Sequence, residues 1–195
     1  MQKDLDYLYS LRKYILVVTG VFILSLIAGL VASQKNFGFS ENYFETLQNS
    51  YGWIKELNPF LIMLLIFFNN AIKSLLALLL GVGLGVIPLL FVAVNGVVLS
   101  IVVDVVSKKQ GILFVAAALL PHGIIEIPIV LISAGIGLRL GYVMYLSIRG
   151  LRTDIKQELK QGLIFYIIRI VPLLFVAAMV ETFITPLVAS MFITS

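Results

Sequence analysis

The chain alternates long apolar runs with short polar segments, and this pattern predicts membrane-spanning helices. Residues 14–33 are apolar and long enough to cross a bilayer once. Residues 59–106 are almost continuously apolar and would measure roughly 70 Å as one helix. We therefore expect two spans here, separated at the glycine-rich sequence GVGLGVIP. Two more apolar runs follow, so the pattern predicts an all-α bundle of about five spans. They lie near residues 14–33, 60–80, 86–106, 112–146 and 163–192.

The polar segment between the first two runs carries its own helical signal. Phe44 and Leu47 recur at helical spacing within residues 34–57, among polar residues. Tyr43 and Trp53 are residue types that favour the lipid–water boundary. This segment is therefore predicted to be an amphipathic helix that lies in the membrane interface between spans 1 and 2.

The composition agrees with a single membrane domain over residues 1–195. Hydrophobic residues make up 61% of the chain and charged residues 12%, and the mean hydropathy is +1.08. These values exclude a soluble globular domain. Cysteine is absent, which excludes disulfides and thiolate metal sites. The sequence predicts an integral protein of the cell membrane.

The lysine and arginine distribution predicts an orientation. With five spans, seven basic residues fall on the side of the N-terminus and four on the other side. The positive-inside rule then places the N-terminus inside and the C-terminus outside. Three of the inner residues, at intervals of four, suggest a basic amphipathic helix that suits anionic lipid better than nucleic acid. They are Arg152, Lys156 and Lys160.

Polar residues recur near the midpoints of the last four predicted spans, where they are costly. A carboxylate at the centre of a membrane helix costs at least ~2.5–3.5 kcal/mol on insertion scales, so such residues are expected to face away from lipid. Interhelical packing is the plainer explanation for the asparagines, at about 0.6 kcal/mol for each hydrogen bond. The predicted intramembrane cluster consists of Asn69, Asn70, Asn95, His122, Glu126 and Glu181.

Three members of this cluster can ionise. His122 and Glu126 are four residues apart and share a helix face, along which Ser133 also lies. With Glu181 they could relay protons or bind a divalent metal ion, and a purely structural buried group is the alternative. Lys73 or Arg169 could supply a compensating charge. The chain lacks an HExxH motif and has only one histidine, so no catalytic activity is expected.

A weak internal repeat offers a different architecture. Nine apolar residues precede Asn69–Asn70 and nine precede Pro121–His122, at an offset of 52. Two half-helices that break at these polar pairs would suit a re-entrant fold or a transporter built from inverted repeats.

Several motifs resemble the stage II sporulation protein M family over roughly residues 58–190. They are FFNNAIKSLLALLLG, VNG, LLPHGIIEIP, GIGLRLG and VAAMVETFITP, and the PHG-x-x-E element is the most specific. The resemblance implies a polytopic protein, usually of five spans. The family pattern falls on Asn69, Asn70, Asn95, Gly96, Pro121, His122, Gly123, Glu126, Glu181 and Pro186.

The resemblance also implies a function. In spore-forming bacteria the namesake belongs to a membrane complex with peptidoglycan-degrading partners during engulfment, where it resembles an anchor or scaffold; relatives also occur in organisms that do not sporulate. The leading interpretation is a non-enzymatic scaffold or assembly component in contact with membrane lipids and partner membrane or cell-envelope proteins. The alternative is a small proton- or cation-linked transporter or channel that uses the same cluster. Small residues on the last two spans suggest a homo-oligomer, namely Gly135, Gly137, Ala177 and Ala178.

Overall fold

The part of the chain that the structure describes forms six helices, and five of them are long and apolar enough to cross a membrane. The computed structural model describes residues 2–192, apart from the side chains of residues 37, 51 and 55. The described part is all-α, which confirms the predicted fold class. The helices are α1 (Gln2–Lys35), α2 (Phe37–Tyr51), α3 (Pro59–Leu79), α4 (Val86–Gln110), α5 (Ile112–Ile148) and α6 (Ile155–Ser190). Ser195, on which the predicted position of the C-terminus rests, lies outside the described residues.

The first and last spanning helices extend beyond the predicted apolar runs. α1 begins at Gln2 instead of near residue 14, and α6 begins at Ile155 instead of near residue 163. A helix of 34 residues is about 51 Å long, whereas the hydrocarbon core of a bilayer is about 30 Å thick. The polar first turns of both helices therefore project beyond the hydrocarbon core, where an apolar pattern gives no signal.

The turn between α3 and α4 falls within the predicted glycine-rich break. A short 3₁₀ turn, Leu80–Val82, ends α3, and Gly85 then adopts a left-handed φ of 76° before α4 begins. Glycine is also required by packing here, because a Cβ on Gly81 would overlap the backbone of Gly137 in α5. Gly85 and Gly141 make a second backbone approach of the same kind. We call this end of the bundle the Gly83 end, and the opposite end, at the α4–α5 junction, the Gly111 end.

The half-helix alternative is wrong. α3 continues through Asn69–Asn70, and α5 continues through Pro121–His122 without a break. Chain reversals occur instead at Gly85 and at Gly111, whose φ is 87°. Both glycines lie in short connections between complete helices, so the apolar repeat in the sequence does not correspond to a structural break.

α5 is the central helix of the bundle. It packs against α1, α3, α4 and α6, and its buried residues concentrate between Ile129 and Gly141. α1 packs mainly along α4, where Gly96 allows the Phe22 backbone to come close. Near the Gly111 end, Ser33 donates a hydrogen bond to Asp104 at 2.6 Å, which joins the same two helices. The position of α5 therefore determines which side chains meet in the membrane interior.

The predicted interfacial helix is present as α2. It follows α1 after a single residue and packs against the Gly111 ends of α1 and α4. An ion pair between Glu41 and Lys109 at 2.8 Å ties it to α4. α2 therefore lies beside the spans at the Gly111 end.

α6 is interrupted by two π-helical turns, Tyr166–Ile170 and Val180–Ile184. Pro172 follows the first turn and Pro186 follows the second, each near the start of the next α-helical stretch. Proline has no amide hydrogen and its ring crowds the carbonyl one turn earlier, so a wider turn before it relieves the conflict. The second π turn contains Glu181, and π turns frequently occur at functional sites.

The basic segment forms only partly as predicted. α6 begins at Ile155, where the Asp154 side chain accepts a hydrogen bond from the Gln157 amide at 2.9 Å. Arg152 therefore lies in the preceding connection, whereas Lys156 and Lys160 lie on the helix, and all three are exposed. The capping aspartate fixes the helix start three residues after Arg152, which corrects the prediction of one continuous basic helix face.

Candidate ion site in the membrane interior

His122, Glu126 and Glu181 are placed at similar depth by two different helices. His122 is ten residues after Ile112, about 15 Å along α5 at 1.5 Å per residue. Glu181 is nine residues before Ser190, about 14 Å along α6. Both distances run from the Gly111 end, so the side chains meet about halfway through a 30 Å hydrocarbon core.

These three side chains form a compact group. One ligand atom from each of them lies within 4.8 Å of the other two, and all three residues are half-buried. Thr185 of α6 orients the His122 ring, because its Oγ1 lies 3.2 Å from His122 Nδ1. We call the group of His122, Glu126 and Glu181 the ion site.

The charges in the ion site are unbalanced. Among the described residues, no lysine or arginine forms a salt bridge with Glu126 or Glu181. Lys73, one candidate partner, makes no ion pair with either glutamate in the described residues. Arg169, the other candidate partner, instead pairs with Asp4 at the start of α1. Two carboxyl groups therefore share a small volume with one imidazole and no contacting cation.

A cavity of about 180 Å³ lies against one side of this group. His122 and Glu126 line it, together with apolar side chains from α1, α4 and α5. Asn95 lines the same cavity from α4, and its Nδ2 also donates a hydrogen bond to the Phe91 carbonyl at 2.7 Å. The predicted membership of Asn95 beside His122 and Glu126 therefore matches its position in the structure.

A larger groove of about 1010 Å³ lies between α2, α3 and α4 and shares Asn95 with the cavity. Asn69 and Lys73 line it from α3. Asn69 donates a hydrogen bond to Asn70 Oδ1 at 3.1 Å, and Asn69 and Asn95 are exposed within the described part of the chain. Asn69 thus lines the groove and not the cavity beside the ion site, and Asn70 is its hydrogen-bonding neighbour on α3. We call this space the lateral groove.

Sequence reasoning missed Thr185. Thr185 is buried and lies four residues after Glu181, so helical spacing from a suspected site residue was the available signal. Ser133, which shares a face of α5 with His122, instead hydrogen-bonds to the Ser74 carbonyl at 3.3 Å. Thr182 Oγ1 is buried without a hydrogen-bond partner in the described residues.

The donor set of the ion site suits a divalent cation or a shared proton. Imidazole nitrogen and carboxylate oxygen are accepted ligands of zinc and manganese. If His122 binds through Nε2, its Nδ1 keeps Thr185 as the outer partner that commonly orients a metal-bound histidine. A cation also relieves the repulsion between two carboxylates held close together in a medium of low dielectric.

A second charged group on α5 has the opposite character. Arg139 Nε lies 2.8 Å from Glu158 Oε1, and the exposed fractions of the two side chains are 22% and 10%. The N–H does not point at that oxygen, so the contact is an ion pair without hydrogen-bond alignment. Arg139 also donates to Ser10 and lies over the Tyr7 ring. We call Arg139 and Glu158 the Arg139 pair.

Taken together, the helices and the ion site define a polytopic membrane protein that holds ionisable side chains at mid-depth. The family model for stage II sporulation protein M matches residues 16–186, and the chain belongs to this family.

Relatives include two uncharacterized proteins of Methanocaldococcus jannaschii. MJ0706 is 35% identical over 89% of this chain and 82% of its own length. MJ0793 is 28% identical over 65% of this chain and 72% of its own length. No solved structure gives a significant match.

Proposed function

We propose that this chain is a non-enzymatic membrane assembly component that holds a divalent cation at His122, Glu126 and Glu181. The observation that carries the proposal is the approach of three potential ligand atoms, one from each residue, to within 4.8 Å of one another. They come from α5 and α6, so a bound cation links two spanning helices. This is the role expected of a cation that stabilises one arrangement of a scaffold.

The surroundings of the ion site favour a held cation over a conducted one. The cavity beside His122 is lined mostly by apolar side chains, and the space continues at Asn95 into the lateral groove. Ion pathways need polar groups that lead to both faces of the membrane. The polar groups at issue, Asn95, Asn69 and Lys73, lie along the groove on one side of the site.

A small cation- or proton-linked transporter is the second candidate. The connection between the cavity and the lateral groove favours this transporter. Asn95 lines both spaces, so the ionisable groups beside the cavity are linked to a groove that opens at the surface of the bundle. Alternating access would require a second opening toward the Gly83 end in another conformation. The scaffold needs no such opening.

A membrane assembly component needs surfaces that contact lipids and partner proteins. Lys156, Lys160 and Arg152 are exposed and would meet the headgroups of anionic lipids. A homo-oligomer or an envelope partner must use surfaces other than the small residues considered first. Gly135 packs against Ile15, and Gly137 packs against α3 and Pro88. Ala177 and Ala178 are also buried within the chain.

The experiment is a metal-binding titration of the purified protein in detergent, with Zn²⁺ and Mn²⁺ tested separately. We expect one saturable site that is lost in Glu126→Gln and in Glu181→Gln, since glutamine keeps the shape but removes the anionic ligand. Glu56→Gln serves as the matched control on an exposed residue. Proteoliposomes then separate the two candidates, because a scaffold retains the ion whereas a transporter carries it across. Titrations without any saturable site in the unmodified protein would refute both cation-based candidates.

Coupling between the three residues supplies a second test. If they act as one unit, the double variant His122→Ala/Glu181→Ala loses less stability than the sum of the single variants, by about 0.5–3 kcal/mol. The quantity to measure is the free energy of unfolding in mixed micelles. Strict additivity would mean that the residues do not meet.

A further inference from the structure

Among the described side chains, the lateral groove combines a long apolar surface with one cation. Its walls come from α2, from the turn after α2, and from facing sides of α3 and α4, including Leu65, Leu90 and Val94. All three of these side chains are exposed within the described part of the chain. The volume of about 1010 Å³ lies at the upper end of the range of small-molecule sites, which is roughly 300–1,000 Å³.

Lys73 is the cation that the described residues contribute to this groove, and its depth is unusual for a lysine. It lies 14 residues after Pro59, which places its Cα about 21 Å from the Gly111 end of α3. It is nine residues before Val82, about 14 Å from the other end. Helix side chains lean toward the N-terminus, so the ammonium group is directed back toward mid-depth. An ammonium group exposed to hydrocarbon at this depth needs an anion.

Two carboxamides line the same groove as the Lys73 ammonium group. Asn69 is one helical turn before Lys73 on α3, and Asn95 faces the groove from α4. Each asparagine uses an amide hydrogen in a local bond, to Asn70 and to the Phe91 carbonyl respectively. A carboxamide has two such hydrogens, so each can donate a second hydrogen bond to a ligand. One cation and two carboxamides therefore line the same groove and can donate hydrogen bonds to an anion.

We infer that the lateral groove binds a long-chain carboxylate, a free fatty acid, with its head at Lys73, Asn69 and Asn95 and its chain between α3 and α4. The chain runs toward Tyr43 and Trp53, which line the groove at the Gly111 end. The carboxylate would bind residues other than His122, Glu126 and Glu181, so the inference does not depend on the function proposed above.

The shape and depth of the groove select this ligand. A diacyl phospholipid keeps its phosphate at the membrane surface, well away from Lys73. A partner helix would have to continue past α2 and its following turn, which wall the groove at the Gly111 end. A fatty acid has a head small enough to be neutralised by one ammonium group, and its single chain ends within the membrane. The groove therefore suits it better than either alternative.

Trp53 provides a direct readout, because it is the only tryptophan of the chain and lies in the groove wall. We would titrate the purified protein, in nanodiscs of phosphatidylcholine, with stearic acid brominated along its chain, and follow Trp53 fluorescence. Bromine quenches tryptophan on contact, so binding gives saturable quenching. We expect the methyl ester of the same acid to bind at least about tenfold more weakly, because it lacks the charge that Lys73 recognises.

Variants of the protein test the named residues. Lys73→Met should weaken quenching by the acid at least about tenfold, Lys73→Arg should largely preserve it, and Lys156→Met is the control on a distant exposed lysine. Val94→Phe fills the groove without changing its charge and should also reduce saturable quenching, which covers the case in which Lys73→Met does not fold.

Two results would overturn the inference. The first is equal quenching by acid and ester, unchanged by Lys73→Met, which indicates ordinary lipid contact. The second is equally effective competition by phosphatidylglycerol, which assigns the groove to phospholipid.

Discussion

Two charged groups, each formed between α5 and α6, illustrate different uses of charge in a membrane protein. Near the Gly83 end, the Arg139 pair brings a guanidinium group to a carboxylate at 2.8 Å. About 20 Å along α5, the ion site brings two carboxyl groups and an imidazole together without a contacting cation among the described residues. The first group is electrically complete within the chain. We propose that the second becomes complete when it takes up a cation or protons.

The surrounding packing differs in the same way. Around Gly81 and Gly137, backbones of α3 and α5 approach so closely that a methyl group would not fit. Beside the ion site, the cavity of about 180 Å³ leaves room for a small ligand and for side-chain movement. Close backbone packing at the Gly83 end therefore holds α3 and α5 together, whereas the cavity near His122 leaves space in which a ligand can bind.

The largest effect should come from breaking the Arg139 pair. Removing one partner of a buried ion pair leaves an uncompensated charge, so Arg139→Met should lower the free energy of unfolding by about 3 kcal/mol. The double variant Arg139→Met/Glu158→Met should recover most of this loss, because neither charge remains. Thermal and denaturant unfolding in detergent measure both changes. A harmless single variant would contradict the structural role given to the pair.

The ion site should respond to the cation instead. At a metal concentration of 100 times Kd, binding stabilises the folded protein by about 2.7 kcal/mol. Glu126→Gln should abolish this gain while changing the stability of the metal-free protein much less than Arg139→Met does. Unfolding with and without Zn²⁺ provides the measurement. Metal stabilisation that survives Glu126→Gln would place the cation elsewhere.

Gly81→Ala tests the packing half of the comparison. The new Cβ would meet the Gly137 backbone, which has no flexible side chain to move aside, so a loss of about 1–3 kcal/mol is expected. Gly20→Ala in α1 is the matched control, since a Cβ there has no atom within 4 Å. Equal stabilities for the two variants would show that the α3–α5 contact is looser than described.

The smallest effect concerns the threonines of α6. Thr185→Val removes the side-chain partner of His122 and should cost about 1 kcal/mol. It should also weaken metal binding by about 10–100-fold if Thr185 orients the metal-bound imidazole. Thr182→Val, three residues earlier, removes a hydroxyl that has no partner in the described residues and should be nearly neutral. Identical metal affinities in both variants would remove Thr185 from the site.

Periodicity and hydropathy were sufficient to predict the fold class and the meeting of the ionisable residues. His122 and Glu126 share a face of one helix, and equal depth in the predicted spans brought Glu181 beside them. Both inferences need only helix geometry and a bilayer thickness. The start of α1 at Gln2 escaped prediction because a helix outside the hydrocarbon core needs no apolar residues.

Contacts between distant segments were beyond the sequence alone. Arg139 stands in an apolar run and signals a partner, but nothing in the pattern identifies Glu158 or the neighbouring Tyr7. The lateral groove likewise depends on how far α3 and α4 separate beneath α2, which is set by packing against α1 and α5. Such features require the three-dimensional arrangement of whole helices.

Anomalous X-ray scattering from crystals grown with Mn²⁺ or Zn²⁺ would show directly whether the ion site holds a cation. We expect a peak enclosed by His122, Glu126 and Glu181, at coordination distances of about 2.0–2.2 Å from their ligand atoms for zinc. Crystals of Glu126→Gln grown in the same way should lack that peak. Well-ordered side chains of all three residues without a peak between them, or a peak held by other residues, would contradict the account.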